Sequence, residues 1–399
     1  MIAYSEFSGD TRVMQYANAL AARGDDVEIV SLSDPEPAVA SQHSLRITVH
    51  DVQKRERDES SVFDYAFRTL RFLFNASRMV IRLNREHRFD LIHVHSIPDF
   101  LVFAALEPKL GGVPVILDIH DIMPELYASK FPSGKNSWMV NVLLWLERVS
   151  VRFADHIIVA NEIWRERIAT RCRTERKCTT IGNFPDPELF YPRRRSDNGQ
   201  RFTILYPGSL NPHQGVDIAI RAFARVADQL RDAEFHIYGD GPAKLRLKEL
   251  VGKLGLEGRV ILHPFVPVSQ IAEVMANADL AVVPKRADSF GNEAASTKVL
   301  EFMSLGVPVV LTRTTIDTQL FDESLVTFFE SDNEGDLAGK IAFMHSNPEF
   351  RKKQAANAME YARRNSWTSH SEEYLALVDS LAARDRGPTH RYFTRSATG

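Results

Sequence analysis

Ten short, nearly unbroken apolar runs, each followed by a stretch of helical character, limit how this chain folds. In the first half they are MIAY (1–4), VEIVSL (27–32), LIHVHS (91–96), VPVILDIH (113–120) and HIIVA (156–160). In the second half they are FTILYPG (202–208), AEFHIYG (233–239), RVILHPF (259–265), LAVVP (280–284) and VPVVLT (307–312). A strand apolar along its whole length is buried on both faces, and parallel neighbours need a crossover, usually a helix. Five such strands in each half predict an α/β protein of two doubly wound, Rossmann-like domains. The length of 399 residues fits two domains at roughly 100–200 residues each. The stretch 182–201 is rich in proline, arginine and polar residues and reads as the break. The expected layout is a first domain over 1–184, a linker over 185–200 and a second domain over 201–365. From Pro348 to about Ala383 the pattern is helical, with Trp367 inside it, and a polar tail occupies 386–399. Only about four residues precede the first turn, fewer than the ~5–6 of an average strand. This leaves open whether the natural first strand begins upstream.

Composition excludes several classes. Apolar residues are 44% and charged residues 25%, as in ordinary globular proteins. The net charge of −3 argues against nucleic acid as a partner. Two cysteines, in CRTERKC (172–178), match neither a zinc nor a redox spacing, and reduced thiols are expected. The longest apolar runs fall far short of the ~20 residues that cross a bilayer, and the start lacks the pattern of a signal peptide. A cytoplasmic location is expected.

The most informative stretch is FGNEAASTKVLEFMSLGVPVVLT (290–312). A glycine-containing loop leads into a helix, with Ser296 and Thr297 suited to its N-cap. A helix N-terminus offers unpaired N–H groups and partial positive charge to a phosphate or diphosphate. Lys298 in the first turn adds a full charge. Glu293 before the cap and Glu301 in the second turn flank that position and are placed to accept from sugar hydroxyls. By spacing alone, two glutamates eight apart also fit a solvated surface helix.

Glu293 and Glu301 in EAASTKVLE, followed by FMSLGVPVV, resemble the E-x7-E motif of retaining family-4 glycosyltransferases. The resemblance covers nearly the whole chain: DTRVMQYANALAARGDDVEIVSL, FDLIHVHS, VILDIHDIMPELY, IGNFPDPELF, YPGSLNPHQGVDIAIRAF, YGDGP and NADLAVVP occur in order. It implies the GT-B architecture, two Rossmann-like domains facing each other across a cleft. The donor would bind mainly in the second domain and the acceptor in the first, and a helix over 366–385 would return to the first domain. The implied activity is transfer of a sugar, with retention, from a nucleotide-sugar donor to a glycan or lipid-linked glycan, in envelope or exopolysaccharide assembly. A dedicated metal or other cofactor is not expected. The alternatives are a nucleotide-sugar epimerase or hydrolase of the same fold, or a non-catalytic binding protein.

Residue by residue, the resemblance assigns Glu293 to the donor sugar and Glu301 to the ribose. Phe290, Gly291 and Asn292 fall in the loop that meets the sugar, and Ser296, Thr297 and Lys298 fall at the diphosphate. Backbone around Phe265 and Val266 is assigned to the base. The turn GSLNPHQG (208–215) departs from the family: after Gly208, Ser209 and Gln214 stand where an Arg and a Lys usually stabilise the leaving diphosphate. Either His213, Lys298, Lys285 or Arg286 compensates, or the chain belongs to a subgroup that uses neutral donors and backbone N–H groups, or activity is weak or lost.

In the first half, Gly9 and Asp10 in SEFSGDTRV form a loop that the resemblance brings to the donor phosphates or the acceptor. In DIHDIMPE (118–125), Asp118 and His120 alternate along a strand and share a side. The resemblance puts His120 near the reacting carbon as a catalytic group, with Asp121 and Glu125 toward the acceptor. His93 and His95 share a strand face, yet no third metal ligand at a suitable spacing is evident. Along 66–88, Arg68, Arg71, Arg78, Arg82 and Arg85 fall on one helical side, with Phe72, Leu73, Met79, Val80 and Leu83 opposite. Six arginines against one glutamate suit an anionic membrane surface as a partner, and equally an outer helix whose arginines face solvent.

Overall fold

The computed structural model describes residues 1–33, 46–55, 62–130, 138–193 and 201–383. It divides into two compact units. One comprises Met1–Met123, Val142–Ile181 and the chain from His370; the other comprises Pro124–Asn141 and Gly182–Ser369.

The first unit is built on seven parallel strands: β1 (Ile2–Glu6), β2 (Val27–Ser33), β3 (Ile47–Lys54), β4 (Ile92–His95), β5 (Val115–Ile119), β6 (His156–Val159) and β7 (Cys178–Thr180). Their order is β3-β2-β1-β4-β5-β6-β7. The helices between them are α1 (Thr11–Arg23), α2 (Val62–His87), α3 (Leu106–Leu110), α4 (Met123–Lys130), α5 (Trp138–Phe153) and α6 (Glu162–Cys172). From β1 the chain steps outward to β2 and β3, then returns through α2 to β4 on the other side. The strand order therefore reverses between β1 and β4, and ligands of open α/β sheets bind at such a point, beyond the strands' carboxyl ends. The first strand runs five residues, to Glu6, two further than the apolar run suggested.

The second unit has six parallel strands: β8 (Phe202–Pro207), β9 (Ala233–Tyr238), β10 (Val260–His263), β11 (Leu280–Val283), β12 (Val309–Thr312) and β13 (Thr327–Phe329), in the order β10-β9-β8-β11-β12-β13. Its helices are α7 (Val216–Val226), α8 (Lys244–Lys253), α9 (Val268–Ala276), α10 (Thr297–Leu305), α11 (Thr315–Leu320), α12 (Glu334–Ser346) and α13 (Pro348–Arg364). Alternation places Ile204 and Tyr206 in one core layer and Leu205 in the other; Val282 and Val283 divide likewise. This sheet is apolar on both faces, as its strand sequences require. Here the order reverses between β8 and β11, so the turn at 208–215 and the loop at 284–296 meet at the switch point.

The architecture is thus α/β with two Rossmann-like sheets, of seven and six strands where five each were expected. The three additional strands, β3, β7 and β13, are all at sheet edges. The helical stretch from Pro348 is not continuous. It breaks at Asn365, whose side chain donates to Tyr361 O (2.9 Å), and Trp367 opens a new helix, α14 (Trp367–Ala382), instead of lying inside one. The part of the linker over 194–200 and the tail over 386–399 lie outside the described residues. Phe190, within the expected linker, is buried among Leu205, Ala272 and Phe302 of the second unit. No helix among the described residues is long and apolar enough to cross a membrane.

Candidate functional site

In the second unit, β8 ends in a turn that only glycine fits. Gly208 has φ +141°, and a Cβ there would lie 2.3 Å from Lys298 Cε. Lys298 therefore runs directly against the Gly208 backbone. The Tyr206 hydroxyl sits within 3.0 Å of Ser209 O and 3.2 Å of Gln214 Oε1, and Gln214 Nε2 lies 3.1 Å from His213 Nε2. The Lys298 ammonium stands 5.9 Å above the Tyr206 ring. Tyr206, Ser209, His213, Gln214 and Lys298 thus form one group, with neutral side chains at both positions where the family usually carries charge.

Helix α10 begins at Thr297 with Ser296 as its extended N-cap, but the Ser296 side chain makes no capping hydrogen bond. Lys298 and Glu301 are half-buried. Burial lowers the Lys298 ammonium pKa, partly opposed by Glu301. Burial pushes the Glu301 carboxyl up to about 7, partly opposed by Lys298. Glu301 is therefore more readily protonated than an ordinary glutamate.

The loop before α10 is fixed by its own polar contacts. Asp288 Oδ1 accepts from the backbone N–H groups of Phe290 (2.9 Å) and Gly291 (2.7 Å), and Asp288 Oδ2 accepts from Ser129 Oγ (2.9 Å). Phe290 is turned into the interior, and the side chain of the expected sugar-loop residue Asn292 is tied at the surface to the Thr315 backbone N–H and hydroxyl, both at 2.9 Å. Two of the cations expected to compensate are also committed. Lys285 is buried, 2.6 Å from Asp317 Oδ2, and donates to Ala294 O. Arg286 clamps Asp217 at 3.0 and 2.8 Å and also pairs with Asp332. The other two candidates, Lys298 and His213, both stand in the group around Tyr206 and Gln214. Among the described residues Phe265 is widely exposed after β10. Two residues earlier, His263 stacks on Tyr238 with centroids 4.0 Å apart, a pairing of strand ends that the linear sequence did not display.

In the first unit, Asp10 caps α1: its Oδ1 accepts from Val13 N–H and its Oδ2 from the Ser5 hydroxyl. A Cβ at Gly9 would meet nothing within 4 Å, so packing does not demand glycine there. His120 stands past the end of β5 with Nε2 2.9 Å from Asp118 Oδ2. Asp118 is fully buried and takes a two-pronged bond from Arg12, Nε to Oδ2 at 2.8 Å and Nη2 to Oδ1 at 2.7 Å. Burial drags His120 downward, but the Asp118 carboxylate outweighs it and the pKa is raised. Burial opposes ionisation of Asp118 too, yet Arg12 and His120 hold it well below the ordinary carboxylate range.

A third partner for the His93–His95 pair does exist. Parallel register sets Asp118 beside His95, and the three residues offer ligand atoms within 4.8 Å of one another. Both Asp118 oxygens already hold Arg12, and the His93 Nδ1 faces the Tyr374 hydroxyl at 3.0 Å. The cluster is organised around the guanidinium. Asp99, also absent from the sequence-based candidates, is buried, and burial raises its carboxyl to about 7, opposed by Ser96 and His120. Asp121 follows His120 directly. Glu125 lies on α4, whose residues from Pro124 group with the second unit.

Residues 9–183 match the model of the glycosyl transferase 4-like domain, and residues 190–361 match glycosyl transferases group 1. The chain belongs to this glycosyltransferase family and is a sugar-transferring enzyme. Alpha-D-kanosaminyltransferase of Streptomyces kanamyceticus is 25% identical over 362 residues, covering 85% of this chain and 90% of that one. Among solved structures, sucrose-phosphate synthase from Thermosynechococcus elongatus superposes with a TM-score of 0.77 at 18% identity, over 96% of this chain and 99% of that one. HepE from Anabaena, in complex with UDP-glucose, gives 0.70 at 17%, over 95% and 99%. The folds correspond to GT-B.

Proposed function

We propose that this enzyme moves a sugar, with retention, from a nucleotide-sugar donor to a glycan or lipid-linked glycan, in envelope or exopolysaccharide assembly on the cytoplasmic side. The observation that carries the donor reading is the contact of Lys298 with the Gly208 turn at the switch point of the second sheet, between Glu293 and Glu301. A diphosphate against the uncapped start of α10 receives backbone N–H groups and the Lys298 ammonium together. Its charge would also reverse the burial penalty that now lowers the Lys298 pKa. Glu301, one turn beyond Lys298 on α10, suits a ribose diol. Glu293, in the loop pinned by Asp288, suits the sugar hydroxyls. The neighbour seen with UDP-glucose supports a nucleotide-sugar donor.

In the first domain, His120, oriented by Asp118, is the group for a sugar hydroxyl near the reacting carbon. In a front-face reaction the acceptor hydroxyl attacks as the sugar–phosphate bond breaks, and a diphosphate oxygen takes its proton. The protein then supplies orientation and charge placement, and no metal or cofactor is invoked. A thermal-shift screen with UDP-glucose, GDP-mannose and their free nucleotides tests the donor reading, since binding raises stability by mass action. Stabilisation by one nucleotide series, with transfer abolished in Glu293→Ala, is expected. The proposal fails if no nucleotide sugar stabilises the protein or if Glu293→Ala transfers normally.

A further inference from the structure

Helix α2 buries one face, with Phe72, Ala76, Val80 and Leu83 all at 5% exposure or less. Its outer face is not simply basic. Phe67 is 67% exposed, Leu70 56% and Phe74 61%, spaced three and four apart on one stripe. Arg68 has left that stripe to pair with Asp64. Arg71, Arg78, Arg82 and Arg85 remain exposed, and Arg78 lies over the Phe74 ring at 5.7 Å. Among the described residues no carboxylate pairs with Arg71 or Arg78.

The same pattern recurs on α5. Trp145 is 59% exposed beside Val142, and the exposed Arg148 and Arg152 follow one and two turns later. Right-handed crossovers put α1 on one face of the first sheet and α2, α3 and α5 on the other. Contacts agree with this. Arg85 of α2 pairs with Glu107 of α3, and Lys109 of α3 sits 5.3 Å over Phe153 of α5. On α3, Leu106 and Leu110 are also exposed. Helices between parallel strands run back against them, so the N-terminal ends of α2 and α5 lie at the carboxyl edge of the sheet. The aromatic ends of both helices share the edge that carries His120, and the arginines follow farther away.

We propose that this helical face of the first domain docks on an anionic lipid surface. Phe67, Leu70, Phe74 and Trp145 enter the interface, and the arginines meet phosphate headgroups. Water leaves large exposed aromatic groups unfavourably solvated, and a bilayer interface accepts them while anionic headgroups attract the guanidinium groups. Arg82 and Arg85 have Glu86 and Glu107 as partners, but among the described residues Arg71 and Arg78 have no carboxylate partner. Charge complementarity selects this occupant over an apolar protein groove, where those two arginines would lose solvation without counter-charges. With α2 lying along the surface, the carboxyl edge of the sheet would stand beside the membrane, within reach of a lipid-linked acceptor, so this proposal deepens the acceptor part of the reading above.

Flotation of the full chain on a sucrose gradient tests it, without donor or acceptor. The probes are phosphatidylcholine vesicles and vesicles of equal parts phosphatidylcholine and phosphatidylglycerol. The protein is expected to float only with the anionic vesicles. Arg71→Glu with Arg78→Glu, and separately Phe67→Ser with Phe74→Ser, should each weaken partitioning by about tenfold or more. Thermal melts of both variants, expected to match the wild type, show that the fold is intact. No flotation, or flotation that neither variant weakens, overturns the proposal. A lipid-free dimer in sedimentation that Phe67→Ser with Phe74→Ser dissolves would assign the face to a second copy and also overturn it. Because nucleotide-sugar binding is read separately by thermal shift, failure here leaves the donor reading standing.

Discussion

Replacing Asp118 by Asn tests the polar centre of the first domain. The carboxylate offers both oxygens to Arg12 at 2.7 and 2.8 Å, and the Arg12 and Asp118 side chains are 8% and 0% exposed. Asparagine has nearly the same shape but only one acceptor oxygen. In either orientation its amide N–H group points at a guanidinium N–H, and the buried cation loses its counter-charge. Breaking a buried pair from one side costs about 3–5 kcal/mol, and each ~1.4 kcal/mol is a tenfold change in equilibrium. The fraction of opened first domain should thus rise by two to four orders of magnitude, on the order of the same principle. Two domains need not unfold together. The suitable assay is native-state hydrogen exchange of peptides spanning β4 and β5, with α7 and β8 as an internal control. Adding Arg12→Met removes the stranded cation and should recover much of the loss. The reasoning is refuted if Asp118→Asn protects β4 and β5 as the wild type does, or if the double variant is no more stable than the single.

The raised His120 pKa fixes the sign of a pH effect. Its stabilising contribution is complete below the unfolded value near 6.5 and is lost as pH rises through the folded value. His93 and His95 act oppositely, because burial lowers both, so the test is the difference between wild type and His120→Gln in thermal melts. That difference should shrink from pH 6 to pH 8, roughly the range in which histidine titrates; a constant difference refutes it. Gly239→Ala should cost about 1–3 kcal/mol or more in urea unfolding, because φ there is +148° and a Cβ would lie 1.9 Å from Gly208 O; wild-type stability would contradict the tight apposition of β8 and β9 ends. Lys285→Met and Lys298→Met should separate cleanly. The first strands buried Asp317 and destabilises the fold. The second leaves melting nearly unchanged but weakens nucleotide-sugar stabilisation by about tenfold or more, because the diphosphate no longer receives a charge-assisted hydrogen bond from the ammonium. Equal melting of the two variants would refute that division.

The interior of both sheets was legible because parallel strands covered on both faces must be apolar throughout. The unread strands are β3, β7 and β13, each paired along one side only. In β3, Ile47–Lys54, only Gln53 is buried, so its sequence ITVHDVQK carries no apolar run to read. Strand β7 is CTT and β13 is TFF, each too short for alternation to show. Around Trp367 the sequence reads as helix on both sides, but the helix is not continuous there: the Asn–Ser pair at 365–366 that ends it gives only a weak stop signal, without glycine or proline.

Around the loop proposed for the donor, the sequence showed which residues carry charge but not how that charge is distributed. Lys285, Arg286 and Lys298 look equivalent in sequence, three cations around one loop. Structure divides them by what lies opposite. Asp317 comes from the first turn of α11 and Asp217 from the first turn of α7, both far off in sequence, and they satisfy Lys285 and Arg286 completely enough that a ligand would have to compete with a carboxylate. Lys298 has Glu301 as its nearby acid, and burial has moved that acid to about 7. The turn with Ser209 and Gln214 therefore does not leave the position without charge. It concentrates the available charge on one ammonium pressed against Gly208, where a side chain at 208 would displace it. The same holds for Arg12: it comes from the first turn of α1 and its carboxylate, Asp118, from β5, 106 residues further on, so no local run of residues displays the pair.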